Sequence, residues 1–230
     1  QEITDWPHTN LHIHSENTGY PQPHNEMARL SKSDYLLIVN PDIEWPQTEA
    51  IQTMVDFMDQ NPRIGVLAPK QLLPDGRVEL NVRHYPHFLT QVSRRTFLRN
   101  LPILNKRVAY DEMEGFNFEK TQTVDWAHSS LLMVRRRAWE EIKGMSEKYF
   151  LFMADTELGW QMWKHNWAVV YYPDAYASGD GKRVSSGGFS DFWKKWTIRV
   201  HVQDALKYRI LHFGLSNPRL ELEKNGFKLF

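Results

Sequence analysis

The chain has 230 residues, enough for one large domain or two small ones, and its 28 basic residues balance its 28 acidic residues. This balance gives no overall field that would attract nucleic acid, so no nucleic-acid partner is expected. Because cysteine is absent, disulfides, thiolate metal sites and cysteine nucleophiles are excluded, and no apolar run of about 18 residues is present that could span a bilayer.

The predicted elements alternate between strands and helices. Strands are predicted over residues 10–14, 35–39, 64–68, 77–83, 123–134 and 168–172. Helices are predicted over residues 23–31, 47–60, 135–142 and 155–166. Residues 84–120 have no clear period, which predicts a loop-rich excursion over the site. The alternation indicates an α/β sandwich.

The most informative segment is the apolar run 35–39, which leads directly into Asn40, Pro41 and Asp42. Such a run predicts a strand buried on both faces, and Pro41 ends it. In open α/β sheets, ligands bind at the carboxyl ends of the strands. A carboxylate there, beside an amide, suits a divalent cation that carries a diphosphate. The alternative is that Asp42 only initiates the turn before the next helix.

A second acidic cluster, Asp155 and Glu157, opens the predicted helix 155–166. One interpretation is that Asp155 is the N-cap of this helix and Glu157 a first-turn carboxylate, both favoured by the helix dipole. The other is that Asp155 is a general base, which takes a proton from a hydroxyl nucleophile. The residue types alone leave both interpretations open.

From about residue 190 to residue 213 the pattern becomes helical and basic. Five Lys or Arg residues and two Asp residues between 191 and 213 give a net charge of +3, and Trp193, Trp196 and Phe213 lie among them. The segment is typical of a helix on a membrane surface. It is equally typical of a helix that covers the sheet with one face and exposes its lysines on the other.

Several individually weak motifs follow one another along the chain. They lie at residues 16–20, 24–25, 36–42, 64–76, 83, 124–126, 131–136, 144–147, 150–158 and 170–173. Their order, over roughly residues 11–186, resembles family-2 glycosyltransferases of the GT-A fold, particularly the rhamnosyltransferase-like branch. The resemblance implies an α/β fold with a GT-A-type (Rossmann-like) mixed sheet flanked by helices. Residues 1–189 would form the GT-A-like catalytic domain, and residues 190–230 a basic, aromatic helical segment that packs on it or on a membrane.

On the donor side, the resemblance implies a metal and a nucleotide. Asp42 would hold Mn²⁺ or Mg²⁺, and Asp42 and Asn40 would contact the diphosphate of a nucleotide-diphosphate sugar. Asn17 and Gly19 match a turn close to the nucleotide. The best guess for the donor is deoxythymidine diphosphate-rhamnose, because the rhamnosyltransferase-like motifs are the most similar.

On the acceptor side, the resemblance implies that Asp155 is the general base of an inverting transferase. Trp126 and His128 match the segment that lines the acceptor, which would be a glycan or a lipid-linked glycan. The expected location is cytoplasmic, with a membrane surface as a further candidate partner at its inner face.

The chain departs from the family at three points. The first two strands of the family have no counterpart, so the chain is expected to begin just before the third. Ala154 replaces a Glu, and no His follows the strand end near residue 173, where Asp180 is a candidate substitute ligand. These differences keep an alternative open, a degenerate GT-A domain that acts as a carbohydrate-binding or scaffolding module. A metal phosphoesterase is disfavoured because its paired His and Asp ligands are not found.

Overall fold

The structure is a computed structural model that describes residues 8–85, 101–111, 113–180 and 196–230. Its helices are α1 (Pro21–Leu30), α2 (Ala50–Gln60), α3 (Pro102–Asp111), α4 (Arg136–Glu141), α5 (Ala154–Lys164), α6 (Trp196–Leu211) and α7 (Pro218–Lys224). Its strands are β1 (Tyr35–Val39), β2 (Ile64–Leu72), β3 (Val82–Arg83), β4 (Gln122–Thr123), β5 (Trp126–Ala127), β6 (Leu131–Arg135) and β7 (Ala168–Ser178).

The main sheet is mixed, as the sequence predicted. Its strand order is β1-β6-β2-β7-β4, and β3 pairs with β5 in a separate two-stranded sheet. Strand β6 is antiparallel to both β1 and β2, whereas β2 is parallel to β7. Strands β1, β2 and β7 therefore run in the same direction, and their carboxyl ends meet at one edge of the sheet.

Helices cover the central strands. Helix α2 buries Ala50, Met54 and Met58, which are spaced four residues apart and so form one apolar stripe. Helix α5 buries eight of its eleven residues. It approaches β5 closely because Gly159 has no side chain: a Cβ there would lie 2.6 Å from the Cβ of Trp126.

Strand β1 lies at the edge of the sheet, so the prediction that both its faces are buried is wrong. Ile38 is buried, but Val39 is 44% exposed. The reason is that β1 pairs only with β6, and no described strand pairs with its other edge. A groove of about 400 Å³ lies between β1 and α1 and is lined by Met27, Leu37 and Trp139 among others. None of the predicted site residues lines this groove.

Three other element predictions need correction. Residues 10–14 form no strand and are exposed, since nothing packs against either face. In the segment 77–83 only β3 is a strand, and it pairs with β5 and not with β2. The segment 123–134 divides into three short strands.

Two further segments differ in length from the prediction. Part of the predicted loop 84–120 is helix α3, and residues 86–100 lie outside the described residues. Strand β7 continues beyond Pro173 to Ser178. It can do so because the pairing register with β2 shifts there, from Tyr172 to Tyr176, so that Pro173 lies in a bulge.

The C-terminal helix α7 is fastened to the domain through Asp125, which is 1% exposed. Its carboxylate accepts hydrogen bonds from the Arg219 guanidinium and from Asn217, the N-cap of α7. Burial by itself would raise the pKa of Asp125, but the His84 ring, whose Nδ1 lies 3.4 Å from the carboxylate, and the charge of Arg219 hold this pKa below its ordinary value. The predicted boundary between 189 and 190 falls outside the described residues. No described helix combines the length and apolar character needed to cross a membrane.

Candidate active site

The carboxyl edge of the sheet brings β1 next to the loop that precedes β6. The backbone N–H of Asn40 donates to the carbonyl of Ser130 over 2.8 Å. Further along, Glu44 exchanges two backbone hydrogen bonds with Ser178 at the end of β7. Asp42 lies in the turn between these two contacts and is exposed. The turn is therefore held at both ends while its carboxylate faces solvent.

Asp155 is the second residue of α5 and is partly exposed. Its Oδ1 accepts the backbone N–H of Thr156 over 2.9 Å, and the backbone N–H of Ser129 lies close enough to the carboxylate to act on its pKa. Burial raises the pKa of Asp155 from 3.8 to about 6, although both of these N–H groups act to lower it. A carboxylate with such a pKa can hold or release a proton near neutral pH, as a general base must.

The loop 128–130 connects these two places. Ser130 accepts the hydrogen bond from Asn40, and the backbone N–H of the adjacent Ser129 lies near the Asp155 carboxylate. The Tyr20 hydroxyl donates to the Ser129 carbonyl over 2.8 Å. Burial and, to a smaller extent, the nearby Asp155 charge raise the pKa of Tyr20 to about 12, so its hydroxyl stays protonated. The end of β1 and the start of α5 thus lie next to neighbouring residues of one loop.

The predicted nucleotide turn packs against the segment that leads into Asp155. The Asn17 Oδ1 accepts the backbone N–H of Gly19 over 3.0 Å, and Tyr20 donates its backbone N–H to the Phe150 carbonyl over 2.7 Å. Gly19 has a φ of +86°, and a Cβ there would overlap the Phe150 carbonyl oxygen. Only glycine satisfies both conditions, so this position is set by the fold.

The two predicted acceptor residues stack on each other with ring centroids 5.1 Å apart. Trp126 is 9% exposed, and its indole N–H donates to the His84 carbonyl. His128 is half-buried and directly precedes Ser129. Of the two residues, His128 is next to Ser129 in the chain, whereas Trp126 is buried and stacks on His128. The acceptor role of both residues stays a prediction.

The chain is similar in sequence to a known enzyme. Over 142 residues it is 31% identical to N-acetylglucosaminyl-diphospho-decaprenol L-rhamnosyltransferase from Mycobacterium tuberculosis, in strains CDC 1551 / Oshkosh and ATCC 25618 / H37Rv. The match covers 62% of this chain but only 45% of the relative, so it spans less than half of that protein's length. No protein-family model matches the chain. The predicted resemblance to rhamnosyltransferases is confirmed.

Similarity to solved structures identifies the fold. The crystal structure of GalNAc-T7 with UDP, GalNAc and Mn²⁺ aligns over 92% of this chain and 42% of its own length, with a TM-score of 0.51 and 12% identity. The chain has a GT-A-type fold. Mannosyltransferase PcManGT from Pyrobaculum calidifontis, in complex with GDP-Man and Mn²⁺, covers 92% of this chain and 60% of its own at 12% identity, but its TM-score of 0.45 is too low to add to that assignment.

The candidate metal-binding side chains of this GT-A domain fit a metal ion that is also bound by a ligand. Within the described ranges, no group of three or more His, Asp or Glu side chains could hold a metal ion. Mg²⁺ is usually held by one or two carboxylates together with substrate phosphates, and it keeps several waters. The exposed Asp42 with Asn40 beside it matches that pattern. We therefore expect metal binding to require a bound diphosphate.

Sequence reasoning found Asp155 and the strand end in the GT-A domain but missed the residues that connect them. Ser129 and Ser130 carry no motif, and they act through backbone groups that any residue type supplies. Tyr20 lies in a motif, yet its hydroxyl contact spans 109 positions. Asp204 was counted only as one charge of a basic segment. No sequence signal indicated these contacts.

Proposed function

We propose that this GT-A domain is part of an inverting glycosyltransferase, which moves a sugar from a nucleotide-diphosphate sugar to a hydroxyl of a glycan or lipid-linked glycan. The observation that carries the proposal is the position of Asp155 at the start of α5, beside the loop 128–130 that also holds the end of β1, where burial raises the pKa of its carboxyl to about 6. Rhamnose, from deoxythymidine diphosphate-rhamnose, is the proposed sugar because the matching relative is named a rhamnosyltransferase.

In the proposed reaction, the Asp155 carboxylate accepts the proton of the acceptor hydroxyl while that oxygen attacks the anomeric carbon. The new C–O bond forms on the face opposite the departing phosphate oxygen, so the anomeric configuration inverts and a nucleoside diphosphate leaves. A divalent cation at Asp42 would neutralise charge on the diphosphate. The other proposed contacts are Asn17, Gly19 and Asn40 for the donor and Trp126 and His128 for the acceptor.

The test of this proposal is a transfer assay with a panel of nucleotide sugars, Mn²⁺ and glycan or lipid-linked acceptors. Mass spectrometry identifies the product, and NMR gives its anomeric configuration. We expect transfer from one donor with inversion. Retention of configuration would contradict the role of Asp155 as a general base, and absence of transfer from every donor would contradict the enzyme.

A second candidate, a carbohydrate-binding or scaffolding module, is favoured by one observation. Ala154, at the position of the family's Glu, is 1% exposed and packs in an apolar cluster with Tyr149 and Tyr208. The site therefore has no carboxylate at position 154, next to Asp155. Isothermal titration distinguishes the two functions: Mn²⁺-dependent nucleotide binding supports the enzyme, and binding of glycan alone supports the module.

We also propose that the exposed face of α6 binds an anionic membrane surface. For a cytoplasmic protein, this surface would be the inner face of a membrane. Val202, Leu206 and Ile210 of α6 are 42%, 56% and 67% exposed, and their four-residue spacing places them on one stripe; Phe213, two residues beyond the helix, is 74% exposed. The cations at 199, 207 and 209 accompany the stripe, whereas its one carboxylate is buried. Exposed apolar side chains flanked by cations can bury in the headgroup region of an anionic membrane.

Replacement of Leu206 and Ile210 by Glu is expected to reduce binding to phosphatidylglycerol-containing vesicles at least about tenfold. Each loses the burial of an apolar side chain, roughly 1.5–3 kcal/mol, and each adds charge of the wrong sign. Cosedimentation measures the bound fraction. The control is Ile51→Glu on α2, since Ile51 is 43% exposed and should leave binding unchanged. Equal losses in both variants, or self-association of the wild type instead of vesicle binding, would contradict the proposal.

A further inference from the structure

Three consecutive backbone N–H groups converge on one carboxylate of α6. Asp204 accepts the N–H of Phe150 at 3.1 Å and the N–H groups of Leu151 and Phe152 at 3.0 Å each. The three donors belong to the segment 150–152 that leads into α5, more than fifty positions away in the chain. Successive N–H groups that point at one anion form a strong anion-binding arrangement.

The Asp204 carboxylate depends on these donors. It is 1% exposed, and a buried carboxylate is stable only when its oxygens are hydrogen-bonded or paired. The cation nearest in sequence, Lys207, is 3.8 Å away, and its side chain is 53% exposed and so screened by solvent. The backbone of residues 150–152 is therefore the principal partner of Asp204, and the two are held together strongly.

The backbone directly after this segment is strained. Met153, the N-cap of α5, has a φ of 63°, in the left-handed region that residues with a side chain rarely adopt. No side chain caps the helix at this position. Such a conformation persists only where its surroundings impose it. Asp155 follows two residues later, so its position depends on how firmly residues 150–152 are held.

Helix α6 and the residue that follows it, His212, also contact α5 at Glu157, which lies after Asp155 in the helix. The His212 Nδ1 lies 2.9 Å from the Tyr208 carbonyl, and its Nε2 lies 3.2 Å from the Glu157 carboxylate. Both neighbours are hydrogen-bond acceptors. Glu157 also accepts the Tyr149 hydroxyl over 3.1 Å. The contacts from 204 and 212 thus bracket Asp155 from both sides.

We infer that Asp204 is a positioning residue, which holds residues 150–152 so that the Asp155 carboxylate faces the acceptor hydroxyl. This inference rests on the proposed function, because it assigns Asp204 a part in turnover. Asp204 itself touches no substrate. It makes α6, which follows the α/β core in sequence, a component of the active site.

Replacement of Asp204 by Asn is expected to lower kcat about 10- to 100-fold, since small misplacements of a reacting group have effects of this size. The variant keeps the shape but loses the charge and one acceptor. A looser segment also admits water to Asp155, whose pKa burial now raises to about 6, so the acidic limb of the kcat–pH profile should move to lower pH. The matched control is Asp56→Asn on the exposed face of α2, which should change neither.

A merely structural role for Asp204 would lower the active fraction of protein and leave the pH profile in place, and that result would overturn the inference. Asp204→Ser, which keeps one acceptor in a smaller side chain, replaces the Asn variant if the latter does not fold. The same loss of kcat with the same shift is expected.

Amide hydrogen exchange separates this inference from the proposed function. In Asp204→Asn the amides of 150–152 should exchange at least about tenfold faster, while those of β2 and β7 keep their rates. Unchanged exchange at 150–152 would overturn the inference even if kcat fell. Absence of turnover in the wild type would overturn the proposed function and, with it, the role of Asp204 in turnover. The exchange rates would still show whether Asp204 holds residues 150–152.

Discussion

Replacement of Asp155 by Asn is expected to lower kcat by about two to four orders of magnitude, the usual contribution of a general base. Asn has nearly the same shape and can still accept the N–H of Thr156, but it cannot take a proton. The KM for the donor should change little, because the donor is proposed to bind on the side of Asp42. Initial rates with purified protein measure both constants.

The pH dependence of the wild type provides an internal check. Because burial raises the pKa of Asp155 to about 6, kcat should fall as the pH drops through that value. Turnover by Asp155→Asn that stays within about threefold of the wild type would show that another group is the base. So would a wild-type profile with no acidic limb near pH 6.

The same pKa predicts that Asp155→Asn is the more stable protein at neutral pH. The pKa of this carboxyl is higher in the folded state than its ordinary value of 3.8, so its ionisation opposes folding. The destabilisation is absent below about pH 4, grows as the pH rises through about 6 and is complete above that. Thermal unfolding should therefore give the variant a higher Tm at pH 7.5 and an equal Tm at pH 4. A lower Tm at pH 7.5 would contradict the burial of the charge.

Replacement of Asp42 by Asn is expected to lower kcat/KM by two orders of magnitude or more, because metal stabilisation of a diphosphate is worth several kcal/mol. The variant should also lose Mn²⁺-dependent binding of nucleoside diphosphates. Isothermal titration with deoxythymidine diphosphate, with and without Mn²⁺, measures this without any turnover.

The matched control for Asp42 is Glu44→Gln, two residues further along the same turn. Glu44 is exposed and bonds to Ser178 only through its backbone, so the substitution should leave nucleotide binding intact. Equal losses in the two variants would indicate a general effect of negative charge in the turn. Full Mn²⁺-dependent binding by Asp42→Asn would show that the metal is held elsewhere.

The sequence predicted the local structure around Asp155 well and its environment poorly. The apolar run and the helical period placed Asp155 at the N-terminus of α5, where it lies, but the N-cap is Met153 and Asp155 is the second helical residue. Its pKa is raised by burial, and two of the residues that the fold brings next to it, Tyr20 and Ser129, are far away in the chain. Such packing leaves no periodic trace in the sequence.

Strand β1 illustrates a different limit. Its apolar run correctly predicted a strand, but the burial of a strand depends on which strands lie beside it. The edge position of β1 follows from its pairing with β6 and not from local composition. In the chain, β6 begins ninety-six residues after β1 begins. Asp204 shows the same limit. Its position in a basic helical segment predicts a solvated charge, whereas the fold buries it against residues 150–152.

The most direct measurement is a crystal structure of the domain with Mn²⁺ and a nucleoside diphosphate, with the metal located by its anomalous signal. We expect the metal at the Asp42 carboxylate and the diphosphate, and the Asp155 carboxylate on the wall of the same cavity that faces the outer phosphate. A metal bound away from residue 42, or a cavity that excludes residue 155, would contradict a shared cleft.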